Sequence, residues 1–172
     1  PDLVIAQNFF SPQREVGRMS GSSGASILSA LKDGSFEVHD TYKTGVILTG
    51  DTKGVTVNEF NGDGIPDLSF TVNNGSVSTF LNTSRKKFVG VRIKGRKGNL
   101  RAVGAILKFS SKKGTTQTIE ITGGGSYLSQ SGNTQFFGLG EDVSGQLSVV
   151  WPDGKKFVLN NVKQGLVDLM WN

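Results

Sequence analysis

Residues 59–67 read Glu59-Phe60-Asn61-Gly62-Asp63-Gly64-Ile65-Pro66-Asp67. The flanks alternate: Gly54-Val55-Thr56-Val57-Asn58 lies before the run and Leu68-Ser69-Phe70-Thr71-Val72 after it. A period of two belongs to half-buried strands, so the run is a loop between two of them and the reading is all-β. Within the loop, oxygen-bearing side chains fall at positions 1, 3, 5 and 9, with glycine at position 6. Calcium takes about six to eight hard oxygen ligands, and a short loop supplies them at this spacing. Glu59, Asn61, Asp63 and Asp67 would ligate through their side chains and Ile65 through its carbonyl, while Gly64 permits the sharp turn. Asn-Gly and Asp-Gly are also turn signals, so a solvated hairpin turn is the competing reading. The metal loop is favoured because four ligand-type residues fall in register. It is not an EF-hand: position 12 is Phe70 where that motif needs Glu, and strands replace the flanking helices.

The 172 residues suffice for one domain or two small ones, with 24 Gly and 4 Pro marking frequent turns. No apolar run approaches the length of a membrane-spanning helix. The absence of cysteine excludes disulfides, thiolate metal sites and cysteine nucleophiles. Charge is uneven. Residues 1–84 carry 5 Lys/Arg against 9 Asp/Glu, and residues 85–172 carry 14 against 5. Eleven basic residues lie between Arg85 and Lys113, where no acid occurs. Such a step marks a domain boundary, giving 1–84 and 85–172.

Pro1-Asp2-Leu3-Val4-Ile5-Ala6-Gln7-Asn8 echoes Pro66-Asp67-Leu68-Ser69-Phe70-Thr71-Val72-Asn73, with Pro, Asp, Leu and Asn matching at an offset of 65. A repeat of this length with four strands suits a propeller blade. The strands are expected near 2–8, 25–31, 35–39, 54–59, 67–72 and 77–82. Asp2 would then close a preceding loop, and the parent protein is expected to extend on the N-terminal side. Asp33-Gly34-Ser35-Phe36 and residues 59–68 resemble the FG-GAP or VCBS repeats of integrin-alpha-like propellers, whose inter-strand loop binds calcium. Glu59 stands where that family usually has Asp.

From Lys87 onward, seven short strands are expected: 88–94, 103–110, 115–121, 134–138, 146–151, 156–160 and 165–171. That count suggests a β-sandwich. This half resembles the ASPIC/UnbV domain, which follows such repeats in bacterial secreted proteins. The resemblance rests on Asn99, Arg101, Gly104, Gly125-Ser126-Tyr127-Leu128-Ser129-Gln130-Ser131, Phe137-Gly138-Leu139-Gly140 and Trp151-Pro152-Asp153-Gly154. It implies partial β-propeller blades followed by a small transthyretin-like β-sandwich, a secreted or cell-surface location and no enzymatic activity. Read without the family, Tyr127 and Trp151 are packing residues with a satisfied polar end. Ser126, Ser129 and Gln130 form a polar network or cap a short turn.

Nucleophilic catalysis finds little support, with one histidine, His39, and no Gly-x-Ser-x-Gly elbow. Glu141-Asp142 reads as a pair of solvated turn acids. Gly123-Gly124-Gly125 lacks the helix of a phosphate loop. Arg92 and Lys94 share a strand parity and read as a solvated face. Arg85, Lys86, Lys87, Arg96, Lys97 and Arg101 cluster around turns and could meet an acidic polymer or the acidic half of the chain itself. Nucleic acid is disfavoured, since Phe88 and Phe109 are the only aromatics in 85–113. The expectation is a non-enzymatic binding or adhesion fragment with structural Ca2+, partnered by a protein or polysaccharide, with exposed strand edges open to self-association. The alternative is an accessory carbohydrate- or polyanion-binding part of a secreted enzyme.

Overall fold

The computed structural model describes residues 2–7, 24–31, 33–113 and 115–171. All thirteen expected strands are present, and the chain divides into two compact units. One comprises Pro1–Thr56, Leu68–Phe80 and Ser126–Gln130; the other comprises Val57–Asp67, Leu81–Gly125 and Ser131–Asn172.

The first unit holds β1 (Leu3–Ala6), β2 (Ala25–Ala30) and β3 (Phe36–Val38), an antiparallel sheet in that order. A second sheet runs β4 (Thr52–Asn58), β5 (Asp67–Val72) and β6 (Ser78–Phe80). The Gly21-Ser22-Ser23-Gly24 stretch lies outside the described residues except for Gly24. Alternation sorts the side chains by face. Val4, Ala6 and Ile27 of the first sheet, with Val55, Leu68 and Phe80 of the second, pack around buried Phe70, Ala25 and Val46. Phe70 meets Phe80 edge-on, with centroids 5.9 Å apart. The other parity of β1 and β3, Leu3, Ile5, Phe36 and Val38, is exposed.

One short helix, α1 (Thr41–Thr44), was not among the expected elements. It is a single turn, too brief to show a period of 3.6. Its punctuation is nevertheless local: Asp40 caps it through the Tyr42 N–H at 2.9 Å, and left-handed Gly45 ends it.

The second unit contains β7 (Phe88–Lys94), β8 (Ile106–Ser111), β9 (Thr116–Glu120), β10 (Thr134–Gly138), β11 (Ser144–Val150), β12 (Lys156–Lys163) and β13 (Gly165–Met170). They form a three-stranded sheet, β10-β7-β13, and a four-stranded antiparallel sheet, β12-β11-β8-β9. β7 pairs antiparallel with β10 and parallel with β13. Val89, Val91 and Ile93 point inward from β7, and Phe137 and Leu169 from its neighbours. Leu107, Phe109, Leu147 and Val149 face them from the other sheet. Fully burying each such side chain contributes roughly 1.5–3 kcal/mol. Phe109 stacks on Phe137 at 5.6 Å.

Trp151 is buried in this core, as its packing role requires. Tyr127 overturns the same expectation, being 64% exposed. The Ser126–Ser129 bridge makes a tight turn whose two central residues, Tyr127 and Leu128, are driven outward. Leu128 adopts φ 47, and the Ser129 hydroxyl donates to the Tyr127 carbonyl at 3.1 Å. Asp142 is a second correction: it is buried, and its Oδ2 accepts the Lys113 N–H at 3.1 Å. That bond holds its carboxyl below the usual carboxylate range. Glu141 remains a solvated turn acid.

Candidate functional site

The loop between β4 and β5 is built by its own acids. Glu59 Oε1 accepts the N–H groups of Asn61 at 3.2 Å and Asp63 at 3.1 Å, and that of Gly62 between them. Asp63 Oδ1 accepts the Ile65 N–H at 2.7 Å, and its Oδ2 receives the Asn61 side-chain amide at 2.9 Å. Several consecutive amides thus face carboxylate oxygen, which is why this Gly-rich run holds one shape.

Asp67 plays a different part. It is fully buried, and its two oxygens accept the Phe60 N–H at 2.9 Å and the Asn82 N–H at 2.8 Å. Asn82 also donates to the Pro66 carbonyl at 3.1 Å. Asp67 therefore clamps both ends of the loop to the chain beyond β6. Asp2 repeats the contact, accepting the Ala30 N–H at 3.1 Å. The equivalence is one of register. Leu3 opposes Leu28, and Leu68 opposes Phe80; each bonded amide lies two residues beyond that partner.

The loop is seated on glycine. Gly64 has φ +79, and a Cβ there would come 2.7 Å from the Gly165 carbonyl carbon. A Cβ on Gly90 would come 3.3 Å from the Gly64 carbonyl oxygen. Gly90 and Gly165 sit on the paired strands β7 and β13, so the loop backbone rests where both lack side chains. Sequence reasoning missed Asn82, Gly90 and Gly165. Gly90 alone carried a signal, a glycine inside the apolar strand Phe88-Val89-Gly90-Val91.

The donors are all hard oxygens, as calcium requires. Asn61 and Asp63 are exposed, Glu59 and Ile65 are half-buried, and Asp67 is buried with both oxygens engaged. Among the described residues, no three or more His, Cys, Asp and Glu side chains converge as a metal-holding group. Of the residues expected to ligate, Asp63 and Asp67 each have both carboxylate oxygens engaged by protein N–H groups, and Glu59 Oε1 is engaged by backbone amides.

The basic residues do not form one patch. Arg85, Lys86 and Lys87 precede β7, whereas Arg96, Lys97 and Arg101 follow it. Seven strand residues lie between, which at roughly 3.3 Å each sets the groups about 20 Å apart. Arg92 and Lys94 are exposed on one face, as their parity predicts. Arg92 grips Asp168 with two bonds, at 2.7 and 3.0 Å, and these hold the Asp168 carboxyl below its ordinary range. His39 meets the Ser29 hydroxyl at 2.7 Å on the edge of the first sheet. At the far end of β7, Arg96 and Lys155 lie over the Trp171 ring, 6.0 and 4.9 Å from its centroid.

With this geometry in hand, the comparisons give a class. Residues 95–165, which apart from Ser126–Gln130 lie within the unit built on β7–β13, match the family described as ASPIC and UnbV. More particularly, the chain is similar to Cartilage acidic protein 1 of Xenopus tropicalis, 33% identical over 119 residues, covering 67% of this chain and 18% of that protein. It is also similar to Cartilage acidic protein 1 of Homo sapiens, 30% identical over 125 residues, covering 65% of this chain and 17% of that one. The chain thus matches less than a fifth of the length of these curated relatives. No helix among the described residues is long and apolar enough to cross a membrane.

Proposed function

We propose that the chain is a non-enzymatic, calcium-stabilised binding or adhesion module of an extracellular protein. In this reading, residues 1–84 are the end of an FG-GAP/VCBS repeat region and residues 85–172 an ASPIC/UnbV domain with a transthyretin-like sandwich. The similarity to cartilage acidic proteins supports the extracellular setting. The observation that carries the calcium role is the Glu59–Asp67 loop, where ordered acids and a buried clamp hold oxygen donors at the rim of β7 and β13.

Calcium would be held by Glu59, Asn61, Asp63 and the Ile65 carbonyl, and it would offset the mutual repulsion of the two carboxylates. Two charged ligands make a weak site, with a dissociation constant on the order of 10⁻⁴–10⁻³ M, suited to extracellular calcium. Binding to the folded state alone raises stability by mass action, roughly 1.4 kcal/mol at ten times the dissociation constant. The test is thermal melting of the chain in millimolar calcium and in chelator. The midpoint is expected to rise with calcium in the native chain and to stay flat in Asp63→Asn. Equal midpoints in calcium and chelator for the native chain would overturn the reading.

A further inference from the structure

We infer that the β1-β2-β3 sheet is an inner layer of a stack, and that its open face takes the small aliphatic face of a further repeat of the same strand pattern. Leu3, Leu28 and Val38 lie side by side on that open face, with Ile5 and Phe36 two residues along on β1 and β3. Leu3, Ile5, Phe36 and Val38 are exposed, and no strand residue on the face is charged. The offset of 65 places Leu3 and Ile5 at the positions of Leu68 and Phe70. Leu68 and Phe70 are covered, because their face of the β4-β5-β6 sheet packs on Val4, Ala6 and Ile27. Val4 and Ala6 correspond in turn to Ser69 and Thr71. That face is polar: the Ser69 and Thr79 hydroxyls lie 3.0 Å apart, and Thr71 is exposed. A turn residue stands against it, since a Cβ on Gly54 would come 3.1 Å from that of Ser129 and 3.2 Å from the Thr71 hydroxyl. Each face is therefore apolar where a sheet lies on it and polar where none does, as the outward face of a terminal repeat is. The Leu3 face breaks the rule, being apolar and uncovered among the described residues.

The same register describes the occupant. The contact already present sets a bulky face, Leu68, Phe70 and Phe80, on a small one, Val4, Ala6 and Ala25. Extending that contact to the Leu3 face requires another small face. A second copy of the chain cannot supply it, because its Val4 face is covered by its own β4-β5-β6 sheet. Size agrees. Three strands about 4.8 Å apart and at most six residues long make a face of about 300 Å², against roughly 800 Å² per partner in a standard interface between free proteins. A tethered layer needs less area, since linkage raises its effective concentration. The edge of the sheet agrees as well. β5 has β4 beside it, whereas its counterpart β1 pairs with β2 alone among the described residues. One further repeat would fill the open edge with its β4 and the open face with its β1-β2-β3 sheet. This deepens the repeat reading of residues 1–84 and rests on it, but it does not depend on the calcium site.

The experiment joins residues 1–65 ahead of Pro1 of the whole chain, so that Ile65 meets Pro1 as it meets Pro66. The chain has no cysteine, so Val38→Cys in the original copy reports on its face through maleimide labelling. Labelling should be fast in the single chain and at least roughly tenfold slower in the tandem chain. Val158→Cys, exposed in the second unit, should label equally in both. Ile27→Asp in the added copy alone should restore fast labelling at position 38, since its charge has no partner between two sheets. Circular dichroism shows whether the added residues gain strand. If they do not, the repeat reading and the inference fall together. If they do, and Val38→Cys still labels fast in the tandem chain or stays slow with Ile27→Asp, the inference alone falls. It falls too if the single chain dimerises in sedimentation and Val38→Asp abolishes the dimer, because a second copy is then the occupant.

Discussion

The two units use the same strand chemistry and finish it differently. The second unit closes around fifteen buried hydrophobic residues drawn from both of its sheets. Among the described residues the first buries three, and its β1-β2-β3 sheet is apolar on both faces, with Leu3, Ile5, Phe36 and Val38 exposed opposite Val4, Ala6 and Ile27. A sheet with one wet face normally alternates apolar with polar residues. Here the period of two survives in burial but not in chemistry. Period therefore indicates where strands lie, while completeness of a core depends on what each face is given to pack against.

Deleting the central ring of each core is the strongest way to break that contrast. Phe109→Ala should cost about 3–5 kcal/mol, because the stacked Phe137 and the surrounding strands cannot collapse into the space. Phe70→Ala should cost less, since half-buried Val55, Leu68 and Phe80 are able to close in. Urea unfolding checks this. Tryptophan emission reports the second unit, and far-UV circular dichroism reports both. Equal losses in the two variants would show that the first core is as rigid as the second.

The paired aspartates sharpen the comparison at the level of single bonds. Asp67→Ala removes two part-buried bonds, to the Phe60 and Asn82 amides, at roughly 1 kcal/mol for each. Asp2→Ala removes one exposed bond and should shift the unfolding midpoint far less. A matching loss at both positions would mean that burial, which separates Asp67 from Asp2, has no bearing on the clamp.

Acid gives the smallest effect. The carboxyls of Asp33, Asp142 and Asp168 titrate below their ordinary range in the folded chain, held by Ser35, the Lys113 amide and Arg92. Their contribution is therefore complete above the unfolded carboxylate value, near pH 4, and is lost as pH falls through the lowered folded values. Arg92→Ala should remove the Asp168 part of that acid dependence, so the two proteins differ most at neutral pH, and only slightly because the pair is exposed, and converge as pH falls. Melts across pH 2–7 for both proteins show whether the two curves merge at low pH.

Much of this was legible in the sequence. Every strand was, because alternation in runs such as Val89-Gly90-Val91-Arg92-Ile93 acts locally. That residues 59–67 form a loop between two strands was also legible, from its Asn-Gly and Asp-Gly turn signals; the bonds from its carboxylates to amides two to four residues away were not. Nor was its clamp. Asp67 reaches Asn82 across β5 and β6, and nothing in the spacing of oxygen residues distinguishes an acid aimed at a loop centre from one aimed at a distant amide. The seat on Gly90 and Gly165 was hidden for the same reason, as it needs the parallel pairing of β7 with β13. Tyr127 misled because an aromatic suggests packing wherever it occurs, whereas a four-residue turn leaves its central side chains nowhere to go but outward.

That parallel pairing has a consequence for how the chain comes together. β7 is an inner strand of its sheet, yet residues 95–164 separate it from β13. Such distant pairings form late, since loop closure must precede the contact that rewards it. Until β13 is made, β7 waits with one edge unpaired and with Val89, Val91 and Ile93 along it. Arg85, Lys86 and Lys87 stand at its entrance, Arg92 and Lys94 along it, and no acid lies near them in sequence to neutralise the charge. Like charges on an edge keep two copies of a strand from pairing. Whatever the basic run binds in the finished protein, it also guards the strand during the interval before β13 arrives.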